Sequence, residues 1–366
     1  MIGRVVALLL FLASGALAQD VVRVAYFGIE GDRHYEPQPL YTGLSLRDLH
    51  RPLEGVRLGF RDTRVLGRAL GVTFELEEVL TTPENLAETL SDLRAKDPQA
   101  ILLDLPPDAM ETALAHARHD DLLFNIRDGS DRWRGEDCSP VLLHTPPSDA
   151  MLSDALAQHL RAQGWAKILL LSGSTEEDAR QVAAARRSAA KFGLRITGER
   201  SFELTNDPRR RDRSNIALLT GGVSHDVIWL IDNHGDFGRY VPYATYDARP
   251  VVGSEGLTPV AWHWTFERFG APQLNQRFRR LADRDMTPGD WAAWAAVRSI
   301  VDAVAQVATA DRDAVRQRLK SSDLSVDLYK GVRGTFRDWD GQLRQPILLA
   351  THSACLLYTS DAADDL

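Results

Sequence analysis

The sequence predicts an α/β fold with enough βα units for two doubly wound parallel sheets, and three observations carry that prediction. Short apolar runs without polar alternation recur along the chain, as strands covered on both faces require. Longer amphipathic segments separate them, so the repeating unit is strand, helix, strand. The span between the ends discussed below is about 335 residues, more than one ordinary core accommodates.

The strand segments are 21–27 (VVRVAYF), 72–79 (VTFELEEV), 100–105 (AILLDL), 121–126 (DLLFNI), 140–145 (PVLLHT), 167–173 (KILLLSG), 194–203 (LRITGERSFE), 226–232 (DVIWLID) and 250–254 (PVVGS). Helical periodicity covers 53–70, 83–96, 109–118, 150–163, 176–192, 274–284, 290–308 and 311–320. Gly164 and Gly193 follow two of these helices and suit the left-handed C′ position that leads into the next strand. Residues 203–215 (ELTNDPRRRDRSN) form a polar loop whose basic cluster reads as solvated.

The N-terminus has one early cation, Arg4, an apolar run from Val5 to Leu12 and the triplet Ala16-Leu17-Ala18. This is the pattern of a secretory signal peptide over 1–18, so the expected mature chain begins at Gln19 in the periplasm of a Gram-negative cell. The run is too short to span a bilayer. Residues 355–366 (CLLYTSDAADDL) break in composition from what precedes them and resemble the in-frame translation of a transposase sequencing adapter. They are expected to be a non-native tail. Cys138 then remains as the single native cysteine, and no disulfide is expected. The 43 basic and 51 acidic side chains leave the chain mildly acidic with or without its ends, which gives no electrostatic reason to bind nucleic acid or an anionic membrane.

Three stretches resemble the type I periplasmic solute-binding proteins of ABC importers, in the branched-chain amino acid branch: 51–79 (RPLEGVRLGFRDTRVLGRALGVTFELEEV), 141–171 (VLLHTPPSDAMLSDALAQHLRAQGWAKILLL) and 269–304 (FGAPQLNQRFRRLADRDMTPGDWAAWAAVRSIVDAV). Residues 331–349 (GVRGTFRDWDGQLRQPILL) look like the closing hairpin of that family. The resemblance implies the periplasmic-binding-protein-like I fold, with lobe one at 19–145 and 264–328, lobe two at 146–263 and 329–354, a small-molecule ligand, a membrane permease as partner and a monomeric, non-catalytic protein. Within the branch, the loop after the first strand and WHWTFERFGAPQLNQRF are similar to a subgroup encoded beside pyrroloquinoline quinone (PQQ)-dependent alcohol oxidation systems. That likeness makes PQQ a candidate ligand and a PQQ-dependent alcohol dehydrogenase system a candidate partner.

In open α/β sheets ligands sit beyond the carboxyl ends of the strands. The candidate ligand contacts are therefore Tyr26, Phe27, Arg33, Asp104, Asn125 and Arg127 from lobe one, and Ser172, Ser174, Asp232, Asn233, His234 and Glu255 from lobe two. Arg127 stands where amino-acid-binding relatives offer a small hydroxyl residue, and a guanidinium favours a ligand with acid groups. In VAWHWTF, period two places Trp262 and Trp264 on one face of an extended connecting strand, where either hinge packing or stacking on a planar ligand is open to them. Trp291 and Trp294 share one helix face.

Other readings compete. The branch itself suggests an amino acid or amide ligand, and the same fold serves as an extracellular sensor. DNHGD (232–236) offers oxygen and imidazole groups to a cation, although an Asx-type turn accounts for the same residues. DWDG (338–341) reads as a hairpin turn. No catalytic motif of the G-x-S-x-G, H-E-x-x-H, P-loop or G-x-G-x-x-G kind is present, so no enzyme, metal site or obligatory cofactor is expected.

Overall fold

The computed structural model describes residues 20–36, 49–204, 207–352 and 354–359. The signal-peptide assignment, most of the loop after the first strand and the last seven residues lie outside them. In chain order the strands are β1 (Asp20–Ile29), β2 (Val72–Thr81), β3 (Ala100–Asp104), β4 (Leu123–Asn125), β5 (Leu142–His144), β6 (Lys167–Ser172), β7 (Arg195–Ser201), β8 (Val227–Ile231), β9 (Val251–Gly253), β10 (Thr258–Val260), β11 (Val326–Asp327), β12 (Arg333–Gly334), β13 (Ile347–Thr351) and β14 (Ala354–Thr359). The helices are α1 (Leu53–Asp62), α2 (Arg64–Leu70), α3 (Leu86–Ala95), α4 (Pro107–Ala115), α5 (Asp149–Ala162), α6 (Glu176–Lys191), α7 (Ile216–Thr220), α8 (Val241–Ala244), α9 (Ala271–Ala282), α10 (Pro288–Val307) and α11 (Arg312–Leu319).

Every one of the nine strand segments read from the sequence forms a strand, and they assemble into two parallel sheets, β2-β1-β3-β4-β5 and β7-β6-β8-β9. Each sheet is covered on both faces. One face of the first packs against Val56 and Leu58 of α1 and the apolar stripe of α10, the other against Leu90, Leu93 and Met110 of α3 and α4. The second sheet buries Leu156 and Leu160 of α5 and Ala185 of α6 on one side, and Leu219, Phe237 and Val241 on the other. Two-sided burial is the physical reason that the strands carry no polar alternation.

The 53–70 segment divides into α1 and α2 at Thr63, whose hydroxyl and N–H both turn back to the Phe60 carbonyl. Gly55 and Gly59, one turn apart on α1, allow it to touch α10 directly. A Cβ at Gly55 would lie 2.0 Å from the Asp290 carbonyl oxygen, and one at Gly59 would lie 2.7 Å from Val297. The long α10 starts with a capping box, Thr287 and Asp290 exchanging side-chain and backbone hydrogen bonds. Arg284 closes over the same carboxylate with bonds of 2.6 and 2.9 Å.

In the segment expected to connect the two lobes, the sequence expectation needs correction. Only Thr258–Val260 of the VAWHWTF region is strand, pairing with β13; the chain then turns, with Phe266 N–H donating to the His263 carbonyl. Trp262 and Trp264 therefore do not share a face. Trp262 is buried, stacked on Trp291 at 6.0 Å and donating from Nε1 to Asn275 Oδ1 at 2.9 Å, whereas Trp264 is 40% exposed and lies against His263. The closing segment forms the expected hairpin, with Phe336 bridged antiparallel to Leu343 and Gly341 left-handed at its turn. Ala354–Thr359 pairs with β13, so part of the segment read as a tail carries sheet backbone.

Candidate functional site

On the first sheet, the strand ends of β1, β3 and β4 converge on Asp104. Its side chain is fully buried and accepts hydrogen bonds from the Tyr26 hydroxyl and, at 2.6 Å, the Tyr35 hydroxyl. Two guanidiniums flank it: Arg51 Nη1 at 3.5 Å and Arg127 Nη1 at 3.8 Å. They also sit over the Tyr35 ring, Arg51 at 4.7 Å and Arg127 at 5.3 Å from the centroid. Arg127 is additionally paired with Asp32 at 2.5 Å. Burial, reinforced by the Asp104 charge, pushes both phenols far above the usual tyrosine range, so they act as neutral donors. Burial works against the charge on Asp32, yet the bonds from Arg127 and the His34 N–H outweigh it and hold the carboxyl low.

Charge on this wall is thus balanced, two arginines against two aspartates. One donor is left over. Arg51 Nη1 is buried and has no hydrogen-bond partner, while Nη2 is taken by the Ile29 carbonyl. An enclosed guanidinium N–H without an acceptor is costly, and a ligand oxygen would satisfy it.

Asn125 has a supporting role. Its Oδ1 accepts from the N–H groups of Arg127 and Asp128, and its Nδ2 lies 2.7 Å from the Asp128 carbonyl oxygen and 3.0 Å from His144 Nδ1. The amide shapes the turn that aims Arg127. Phe27 is buried in the core between the sheet and helices α3 and α4, because β1 alternates and Tyr26 takes the opposite face. Arg33 is exposed and engaged in other contacts.

On the second sheet, the ends of β8 and β9 border a cavity of about 250 Å³ lined by Asp149, Ser153, Gln181, Asp232, Asn233 and Ser254, with Trp229 and Pro259 among its apolar walls. Asp232 closes a turn: its two carboxylate oxygens accept the N–H groups of Gly235 and Gly238 at 2.9 and 2.6 Å. Asn233 is held by Asp178 Oδ1 through its backbone N–H and side-chain amide, and its Oδ1 accepts from Gln181 at 3.0 Å. Ser172 is buried at the end of β6, and Ser174 and His234 are exposed. Glu255 is partly buried and engaged. Among the described residues no group of three or more His, Cys, Asp or Glu side chains is placed to hold a metal ion.

The two walls meet along α6. Arg180 Nε donates to Asp149 Oδ2 at 3.1 Å while its Nη1 lies 3.9 Å from Asp128 Oδ1, and Arg187 pairs with Asp131. Burial pushes the Asp149 carboxyl up to about 6, against the pull of Arg180. The native state therefore holds this proton to a higher pH than the unfolded chain, and the unfolding free energy contributed by Asp149 falls as pH rises from about 4 to about 6. Asp149→Asn is expected to flatten that limb of a urea-denaturation profile; an unchanged slope over this window would place Asp149 in an ordinary environment.

Below the site, the connecting segments are tied by side chains absent from the sequence-based list. Arg134 donates to the carbonyls of Asp128, Ser130 and Pro146 and to Gln342 Oε1, all between 2.8 and 3.0 Å. Gln345 donates to the Thr145 carbonyl and accepts from Lys330, whose Nζ lies 3.8 Å above the Trp291 ring. Trp262, Trp291 and Lys330 thus form one packed column.

The structure brings together Tyr26, Asp104 and Arg127 on one wall and Asp232 and Asn233 on the other. Phe27 and Trp262 go to the core. Sequence reasoning missed Asp32, Arg51, Asp149, Arg180 and Gln181. Arg51 did leave a signal, because a cation beside the Pro52 N-cap is at the wrong end of a helix dipole and needs a carboxylate nearby.

No family model matches this chain, and no curated protein matches it in sequence. Solved structures do match in shape. A leucine-, isoleucine-, valine-, threonine- and alanine-binding protein from Brucella ovis, in a closed conformation, superposes with TM-score 0.71 at 10% identity, over 94% of this chain and 97% of that one. The fold is periplasmic-binding-protein-like I. A branched-chain amino acid ABC transporter periplasmic ligand-binding protein from Burkholderia xenovorans matches with TM-score 0.69 at 14% identity, over 93% of this chain and 96% of the other. An ABC transporter solute-binding protein from R. palustris, in complex with benzoate, matches with TM-score 0.64 at 12% identity, over 94% and 96%. The periplasmic-binding-protein-like I architecture accounts for the two sheets whose strand ends face one another across connecting segments.

Proposed function

We propose that this chain is the periplasmic solute-binding component of an ABC importer and captures a small carboxylate-bearing ligand between its two sheets. The observation that carries the ligand class is the buried Arg51 Nη1, which makes no hydrogen bond although Asp104 Oδ2 lies 3.5 Å away, beside a Tyr35 ring that two guanidiniums overlie. A planar acid satisfies both features: its carboxylate takes the Arg51 N–H and its ring lies near Tyr35. Solved relatives in shape include one in complex with benzoate and one in complex with 3,4-dihydroxybenzoic acid, alongside one in complex with leucine. PQQ belongs to the same chemical class as the aromatic acids, with more carboxylates. Binding stabilises the closed arrangement of the lobes, since the ligand makes contacts with both walls only there, and the closed form is the one presented to a membrane permease. No step requires a catalytic group.

Calorimetric titration of the purified protein with benzoate, PQQ and leucine tests this reading. An aromatic acid is expected to bind, and Arg51→Ala is expected to weaken it by about 1.5–3 kcal/mol, roughly 10- to 150-fold. Arg127→Ala should cost less, because Asp32 already occupies its Nη1. Tight leucine binding with no response to either aromatic acid would replace this ligand class with an amino acid.

A further inference from the structure

The outer side of the first sheet carries a second concave surface, away from the cleft. It is a groove of about 750 Å³ between α1, α2 and the edge strand β2. Its floor is apolar, from Phe60 on α1 and from Val72, Phe74 and Leu76, which share one face of β2. Its rim is cationic: Arg57, Arg61, Arg64 and Arg68 all line it.

These arginines are not equivalent. Arg57 is neutralised by Glu78, at 2.8 and 2.6 Å, and by Glu54 at 2.6 Å. The neighbouring acids are likewise committed, Glu75 to Arg23, Glu77 to Lys96 and Asp62 to Arg277. Arg61, Arg64 and Arg68 are exposed and, among the described residues, have no carboxylate partner. Among the described residues the one bond made by their side chains is from Arg68 Nε to the Arg64 carbonyl, at 3.2 Å. In a chain of formal charge −8, three uncompensated guanidiniums along an apolar groove form a local field opposite to that of the whole molecule.

We propose that this groove docks an acidic, partly apolar segment of a partner protein. Charge complementarity selects acid groups for the rim, and the floor of Phe60, Phe74 and Leu76 selects apolar side chains between them. Arg61 lies in the last turn of α1 while Arg64 and Arg68 lie one turn apart on α2, so the charges are spread along the groove and match several carboxylates along a segment better than one small anion. A membrane surface fits less well, because the apolar groups are recessed behind the rim and the rest of the molecule is acidic. The inference does not depend on which ligand occupies the cleft.

Fluorescence polarisation with a fluorescein-labelled peptide Glu-Leu-Glu-Phe-Asp-Glu, and with its Gln/Asn counterpart of equal apolarity, tests the proposal on the intact protein. The acidic peptide is expected to bind, to weaken as salt rises, and to weaken at least tenfold in the Arg64→Glu/Arg68→Glu double variant. Arg209→Glu/Arg211→Glu, in the exposed basic loop, should leave it unchanged. The milder Arg61→Gln/Arg64→Gln pair serves if the charge reversal lowers the melting temperature, and a several-fold weakening is then expected. Absence of peptide binding, equal binding of the neutral peptide, or binding indifferent to both variants would overturn the proposal. Flotation with phosphatidylglycerol vesicles that the double variant abolishes, without an effect on peptide binding, would assign the groove to a lipid surface instead.

Discussion

Asp104→Ala is expected to lower the unfolding free energy by about 3–5 kcal/mol, the largest effect of any single change at the site. The carboxylate is fully buried, accepts from two tyrosine hydroxyls and faces two guanidiniums that are themselves less than a quarter exposed. Removing it strands Arg51 and Arg127 in a partly desolvated wall with Asp32 alone as counter-charge. Urea denaturation with an unchanged m-value measures the loss, and a cost below about 1 kcal/mol would show that water reaches the arginines freely. Asp104→Asn separates stability from recognition. It retains an acceptor but makes the wall net positive, so the variant should be less stable yet bind an aromatic acid more tightly. Weaker binding would mean that Asp104 itself receives a cationic group of the ligand.

Arg134→Ala is expected to cost about 2–4 kcal/mol, although Arg134 contacts no ligand position. Its four hydrogen bonds join the loop after β4, the Pro146 crossover and Gln342 of the closing hairpin. Burial draws its pKa down to about 10, so the group stays charged and each carbonyl it serves receives a charge-assisted bond. Without it, the Ser130 carbonyl and Gln342 Oε1 lose their donor where chain segments cross, while the Asp128 and Pro146 carbonyls keep only Asn125 Nδ2 and Gln342 Nε2. Arg132→Ala is the control: its partners Asp137 and Glu111 are exposed, and a much smaller change than that of Arg134→Ala is expected. Equal losses from both variants, read by urea denaturation, would remove the crossing-point role from Arg134.

The legible part of the fold was its strands and helices. β3 and β8 are apolar at nearly every position because both faces are covered, and that composition is visible without coordinates. Period-two reasoning failed at VAWHWTF because it assumes an extended chain. The strand ends at Val260, where pairing with β13 stops and the chain turns so that Trp262 reaches Trp291. Arg127 lies just beyond β4, as its place in the sequence indicated, but its neutralisation comes from Asp32, in the loop after β1 and 95 residues away, and from Asp104, at the end of β3 and 23 residues away. No local pattern encodes such a pairing.

By itself the sequence determined the α/β class, the nine sheet strands and the strand-end segments from which a cleft must be built, since periodicity and turn chemistry are local properties of the chain. Tertiary structure alone decided which polar groups at those ends remain unsatisfied. That balance depends on distances between residues far apart in sequence: Asp104 serves Tyr26, Tyr35, Arg51 and Arg127 at once, and the shortfall falls on one nitrogen of Arg51.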